Sequence, residues 1–321
     1  MNHRLCRSLA LALVLAPVAW SSGKARAAEG RVRLAYLQND LHHLALWVAL
    51  EKGFFREEGV SVDIAGVFHT GAEMMSAFEG GDLDMAYVGQ APATIAEARG
   101  RVRLRVVALV NAEGSAVVVG AGAPYRRLGD LRGATVAMPG YGSVQDVLLR
   151  KAMAEEGLGP HDLKVIVLKP PEMISALGSG DIRGFIAWEP YPTRARAQGV
   201  GRILVASHAI WAGHPCCILV AAQAFAEAHR ALVEAVRRVH VRATGYLRAH
   251  PEEAAAVAVR YTGMDEATVR DAMKDVIYAD ELSVEAEREM VRSLVEQQYI
   301  PPVDPADFLR RFLLDTESLA P

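Results

Sequence analysis

One motif occurs twice, ninety-nine residues apart, and it constrains the fold more than any other feature of the chain. Ser76-Ala77-Phe78-Glu79-Gly80-Gly81-Asp82-Leu83 is followed by residues 84–88 and then by Gly89-Gln90-Ala91-Pro92. Ser175-Ala176-Leu177-Gly178-Ser179-Gly180-Asp181-Ile182 is followed by residues 183–187 and then by Trp188-Glu189-Pro190. Each copy reads as a helix end, a Gly-Asp turn, a buried strand, and a polar residue close to proline. Glycine relieves the left-handed strain at the end of the helix. The first half alone is a common helix-to-strand connector. Agreement that continues through the next strand favours two equivalent lobes.

The pattern around the repeat is an alternation of strands and helices. Residues 31–37 alternate polar and apolar as a strand, and 41–52 read as a helix with Leu41, Leu44, Ala45 and Val48 on one face. Residues 61–67, 85–88, 103–110 and 116–120 are further strands, and 71–80 is a helix. The plan then repeats, with strands at 135–138 and 164–168 and a helix at 145–156 between them. After 218–221 the apolar spacing is helical through 224–250, 252–261, 265–276 and 283–298. Such alternation predicts an α/β fold with largely parallel sheets and a helical C-terminal region.

The N-terminus reads as an export signal. Arg4 and Arg7 precede the apolar stretch 9–20, and Ala25-Arg26-Ala27 supplies a small-residue cleavage site. The expected signal peptide is 1–27, and the mature chain is expected outside the cytoplasm. Composition excludes other classes. The chain is 51% hydrophobic and 23% charged with a net charge of −3. That is a globular balance without the basic stripe that nucleic-acid binding requires. Beyond Cys6 the cysteines are the adjacent pair Cys216 and Cys217, so no disulfide framework is available and stability must come from core burial.

The run Leu46-Trp47-Val48-Ala49-Leu50-Glu51-Lys52-Gly53-Phe54-Phe55-Arg56-Glu57-Glu58-Gly59-Val60 resembles the A-x-x-K-G-F-F-x-x-x-G-(L/V) opening of the nitrate/sulfonate/taurine-type solute-binding proteins, which include relatives named after thiamine-pyrimidine synthesis. Gly80-Gly81-Asp82-Leu83-Asp84 resembles their G-x-x-D element. Leu128-Gly129-Asp130-Leu131-Arg132-Gly133 with Ala134-Thr135-Val136-Ala137 resembles their D-L-K-G-K-x-V element. The similarity spans roughly residues 31–260. It implies a type II periplasmic-binding fold: two α/β lobes joined by two crossovers, with solute between them. Lobe one is then expected to hold 31–111 plus 214–321, and lobe two 112–213. The implied protein is a monomeric periplasmic subunit of an ABC importer. Its partners are a small-molecule solute and a membrane permease. It carries no cofactor or metal and does no chemistry on the solute.

In open α/β sheets, ligands sit beyond the carboxyl ends of the strands, near helix N-termini. That rule selects four loops. After the first strand, Asn39 or Asp40 can cap a helix while Gln38, His42 and His43 face the cleft; the alternative leaves both histidines on the surface. At Gly89-Gln90-Ala91-Pro92, the Gln90 amide offers a donor and an acceptor. The glycine-rich turn holding Tyr141 and Ser143 opens a helix and presents bare N–H groups suited to an acceptor. It has no P-loop lysine, so nucleotide hydrolysis is not indicated. In the fourth loop, Trp188 can stack on a planar or cationic group and Glu189 can accept from an amine, or pair with Arg194 instead. A carboxylate aimed into the cleft would repel a bare anion, which favours a zwitterion, a heterocycle with N–H donors or a cation; the resemblance keeps a sulfonate among the expected small organic solutes.

His214-Pro215-Cys216-Cys217 stands where the chain should cross back into lobe one. If extended, it would put His214 and Cys216 on one face and Cys217 on the other. Buried free cysteines are the simpler reading. A soft-metal or thiol-reactive site built from His42, His43, His214 and Cys216 is the alternative, unsupported by C-x-x-C or H-E-x-x-H spacing. Two other functions stay open. A pyrimidine-precursor synthase would need a Schiff-base lysine from among Lys52, Lys151, Lys164, Lys169 and Lys274. A sensor module would use the same fold to signal occupancy.

Overall fold

The alternating strands assemble into two separate sheets in the computed structural model, which describes residues 30–314. The expected signal peptide, 1–27, lies outside the described residues. The first sheet takes β1 (Gly30–Leu37), β2 (Val60–Phe68), β3 (Met85–Gly89), β4 (Leu104–Glu113), β10 (Pro215–Ala222) and β11 (Val276–Tyr278). Its order is β11-β4-β10-β3-β1-β2. The second takes β5 (Ser115–Gly120), β6 (Thr135–Met138), β7 (Lys164–Val167), β8 (Gly184–Trp188) and β9 (Gly201–Ala206), in the order β7-β6-β8-β5-β9.

The two sheets follow one plan. β1 pairs in parallel with β2 and β3, and β6 pairs in parallel with β7 and β8. One antiparallel strand, β10 in the first sheet and β5 in the second, then follows the third member. The duplicated motif lies behind this. β3 and β8 hold equivalent positions, and every residue of both is buried. Strands covered on both faces must be apolar throughout, and each fully buried Val or Leu contributes about 2 kcal/mol relative to exposure. The chain crosses from the first sheet to the second at Glu113-Gly114-Ser115 and returns through 207–214. The crossovers are bonded to each other: Glu113 N–H donates to His214 O at 3.1 Å, and Gly213 N–H to Glu113 Oε1 at 2.8 Å.

Two expectations about elements are corrected. The helix expected at 41–52 is split into a 3₁₀ turn, Leu41–His43, and a helix, Leu44–Glu51. That helix is buried from Leu44 to Ala49 rather than along one stripe. It packs against the helices Arg230–Ala249 and Pro251–Thr262. The helix expected at 265–276 ends at Met273, and Val276–Tyr278 becomes an edge strand antiparallel to β4. Three β-branched and aromatic residues beside an open strand edge gain ladder hydrogen bonds that helical spacing would deny them. No helix among the described residues is long and apolar enough to cross a membrane.

Candidate functional site

The loops at the carboxyl ends of the parallel strands converge on one pocket between the sheets. From the first sheet come Asp40 and His42 after β1, Thr70 and Gly71 after β2, and Gly89 and Pro92 after β3. Cys216 and Cys217 of β10 complete that side. From the second sheet come Gly140, Tyr141, Ser143 and Gln145 after β6, and Trp188 at the end of β8. Among the described residues, no lysine or arginine lines it. The cavity has a volume of about 40 Å³. That admits an ion or a few waters, whereas an organic solute needs roughly 300 Å³ or more.

Local chemistry explains how each wall is held. Asp40 has an extended backbone and its carboxylate accepts from His42 N–H at 3.0 Å, capping the 3₁₀ turn. The turn aims His42 inward: Nε2 donates to Gly114 O at 2.9 Å, while Nδ1 faces Cys216 Sγ at 3.4 Å and Cys217 Sγ at 3.7 Å. Gly114 permits this approach. Its φ is +82°, and a Cβ there would meet His42 Nε2 at 2.5 Å. Ser143 Oγ accepts from Asp146 N–H at 3.2 Å and caps the helix Val144–Glu155. Thr70 caps Gly71–Glu79 in a reciprocal box with Glu73. Gln145 donates to Ser115 Oγ at 3.0 Å.

The buried groups are strongly coupled. Burial raises Asp40 to about 7, partly offset by His42. Burial disfavours charge on His42, but Asp40 and Cys216 outweigh it and lift the imidazole to about 9. Cys216 is held well below the usual thiol range by a hydrogen bond from Cys217, against its burial and with help from His42. Burial and the neighbouring Cys216 push the Cys217 thiol up. His43 is kept neutral by burial and by the charge on His42.

Of the residues singled out in the sequence, His42, Tyr141, Ser143 and Trp188 line the pocket. Tyr141 is exposed at its mouth, and Trp188 Nε1 is buried without a partner. Gln38, His43, Gln90, Glu189 and His214 are not in the pocket wall. Gln38 is exposed. His43 turns back into the first lobe, where Nδ1 accepts from Leu37 N–H at 3.2 Å. Gln90 is buried and donates to Glu287 and, at 3.3 Å, to Thr94 Oγ1. Glu189 is buried too. Its Oε2 accepts from Thr193 N–H at 3.2 Å, inside the helix Tyr191–Ala197, and burial raises it to about 8. The repulsion of anions expected from an inward carboxylate at Glu189 is therefore absent. His214 Nδ1 donates to Trp211 O at 2.7 Å.

The face expected for the cysteines is likewise corrected. Both thiols face His42. The register of β10 against β4 slips on either side of Cys217. A bulge breaks the alternation of side chains and re-aims two neighbours to one side. Thr70 and Gln145 are wall residues that the sequence reading missed. Thr70 follows a parallel strand, so the carboxyl-end rule applied to β2 would have found it. Gln145 is the second residue of the helix Val144–Glu155, two places after the Ser143 cap, so the same rule carried past the glycine-rich turn reaches it.

The NMT1-like family profile matches residues 26–262. This chain belongs to the NMT1-like family. Among relatives, the taurine-binding periplasmic protein of Escherichia coli (strain K12) is 26% identical over 233 residues, covering 70% of this chain and 71% of its own. The periplasmic aliphatic sulphonate binding protein SsuA of Escherichia coli superimposes with a TM-score of 0.74 at 20% identity, over 89% of this chain and 92% of that one. The nitrate-binding protein NrtA of Synechocystis PCC 6803 does so with a TM-score of 0.77 at 16% identity, over 89% and 86%. These structures share the two-lobed fold of the NMT1-like chain.

Proposed function

We propose that this protein is the periplasmic solute-binding subunit of an ABC importer, holding a small organic solute between its lobes without transforming it. The observation that carries the reading is the convergence of loops from two equivalent sheets on one pocket, with two bonded crossovers between the sheets. Lobe one carries the first sheet and the described chain from 214 to 314, and lobe two carries the second sheet, the boundaries falling at Gly114 and within 207–214. Relatives named for taurine and aliphatic sulphonates support it.

The cavity is too small for such a solute as it stands, so uptake requires the lobes to part about Gly114 and 207–214. A solute stabilises the closed form only through contacts with both lobes. His42 and Thr70 on one side and Ser143, Tyr141 and Trp188 on the other can make them. With no lysine or arginine among the described lining residues, and His42 as its cationic group, the pocket suits a heterocycle, a zwitterion, or a sulfonate bound by His42 and by N–H and O–H donors. Against a pyridoxal enzyme, no lysine among the described residues lines the pocket, so a Schiff base has no anchor there.

Small-angle scattering with and without candidate solutes tests the reading. Compaction accompanied by a rise in Tm is expected for the true solute. A solute that binds tightly while the scattering profile stays unchanged would refute lobe closure.

A further inference from the structure

We propose that His42, Cys216 and Cys217 form a binding site for a divalent thiophilic metal ion of the Zn(II) or Cd(II) type at the floor of the pocket. The site rests on the solute-binding reading only for what completes it, since its open side faces the pocket.

Three observations converge. Nδ1 of His42 and both sulfurs lie within 4.8 Å of one another, close enough for one ion to replace the hydrogen bonds among them. The donors are aimed. The Nε2–H···O=C bond to Gly114 orients the imidazole and leaves Nδ1 towards the sulfurs, the outer-sphere arrangement that metal-binding histidines use. The bulge in β10 spends a regular ladder position to bring two consecutive thiols to the same side. A buried apolar thiol pair would not need this.

A further group is unsatisfied beside the cluster. Nε2 of His43 is buried without a hydrogen bond and lies 3.9 Å from Asp40 Oδ2. Asp40, His43 and Cys217 also bring ligand atoms within 4.8 Å of one another. Two thiolates and one imidazole are soft donors that discriminate against Mg(II) and Ca(II). Two thiolates balance a divalent charge, which a low-dielectric site favours over an uncompensated one. A cavity of about 40 Å³ accepts an ion with a water or one donor atom of a solute in the fourth position.

The test is a titration of the full chain, reduced and metal-free, with Cd(II), followed by thiolate-to-metal charge-transfer absorbance. One equivalent per chain is expected, displaced by Zn(II). Cys216→Ser, Cys217→Ser and His42→Gln should each weaken Zn(II) binding on the order of 100-fold, about one ligand's share of a structural zinc site. His214→Gln should leave binding unchanged. If the serine variants do not fold, the wild type decides: bound Cd(II) should protect both thiols from alkylation, read by mass spectrometry. Absence of the absorbance, thiols left unprotected, or a band that survives in the double serine variant overturns the proposal. Metal binding with no solute-driven compaction would count against the import reading and support the metal site. Compaction by an organic solute without any thiolate band would do the reverse.

Discussion

Glu287 lies fully buried on the helix Val284–Glu296, and burial raises its carboxyl from 4.5 to about 8. Gln90 donates to its Oε2, while Glu287 Oε1 and Gln90 Oε1 both lack a partner. A proton on Glu287 turns one of these stranded acceptors into a donor. In the unfolded chain this carboxyl is ionised above about 4.5, whereas the folded chain keeps its proton up to about 8. The folded state therefore binds more protons in that window, and stability falls as pH rises through it. Each pH unit removes about 1.4 kcal/mol, on the order of 5 kcal/mol across the window. Glu287→Gln preserves size and hydrogen bonding but cannot ionise. Urea denaturation of both chains from pH 4.5 to 9 measures the difference. The variant should match the wild type near pH 4.5, gain steadily above it, and level off beyond pH 8. Asp40 and Glu189 also titrate but are common to both chains, so the difference isolates Glu287. A constant difference across the window would refute the neutral buried carboxyl.

Other outcomes follow from the same geometry. Gly114→Ala should destabilise the fold by about 1–3 kcal/mol in denaturant, because alanine must adopt φ +82° and its Cβ meets His42. Ser143→Ala should cost about 1 kcal/mol from the lost cap of Val144–Glu155, read by thermal unfolding. Trp188→Ala should weaken solute affinity measured by calorimetry, whereas Glu189→Gln should leave it within about twofold at neutral pH, since that carboxyl already faces a helix N-terminus as a neutral group. A strong loss in Glu189→Gln would return that carboxylate to the pocket.

The two-lobed plan was legible in the chain because it is written in local spacing. Strand and helix periodicities, and a motif repeated at ninety-nine residues, report which segments are equivalent before any of them touch. The carboxyl-end rule likewise located the loops, since chain direction within a parallel sheet sets where each strand delivers its loop.

Which side chain on a loop enters the pocket was decided by tertiary structure. Glu189 and Gln90 look like cleft residues in the sequence, yet the Thr193 backbone N–H claims the first and a carboxyl from a helix nearly two hundred residues away claims the second. Strand alternation predicts Cys217 on the face opposite His214 and Cys216, and the register slips on either side of Cys217 bring both thiols to His42. The sequence alone determined the scaffold because periodicity is a property of neighbours along the chain. The inward choice of each polar group belongs to the folded state, because a buried donor or acceptor takes whichever partner the packing brings within reach.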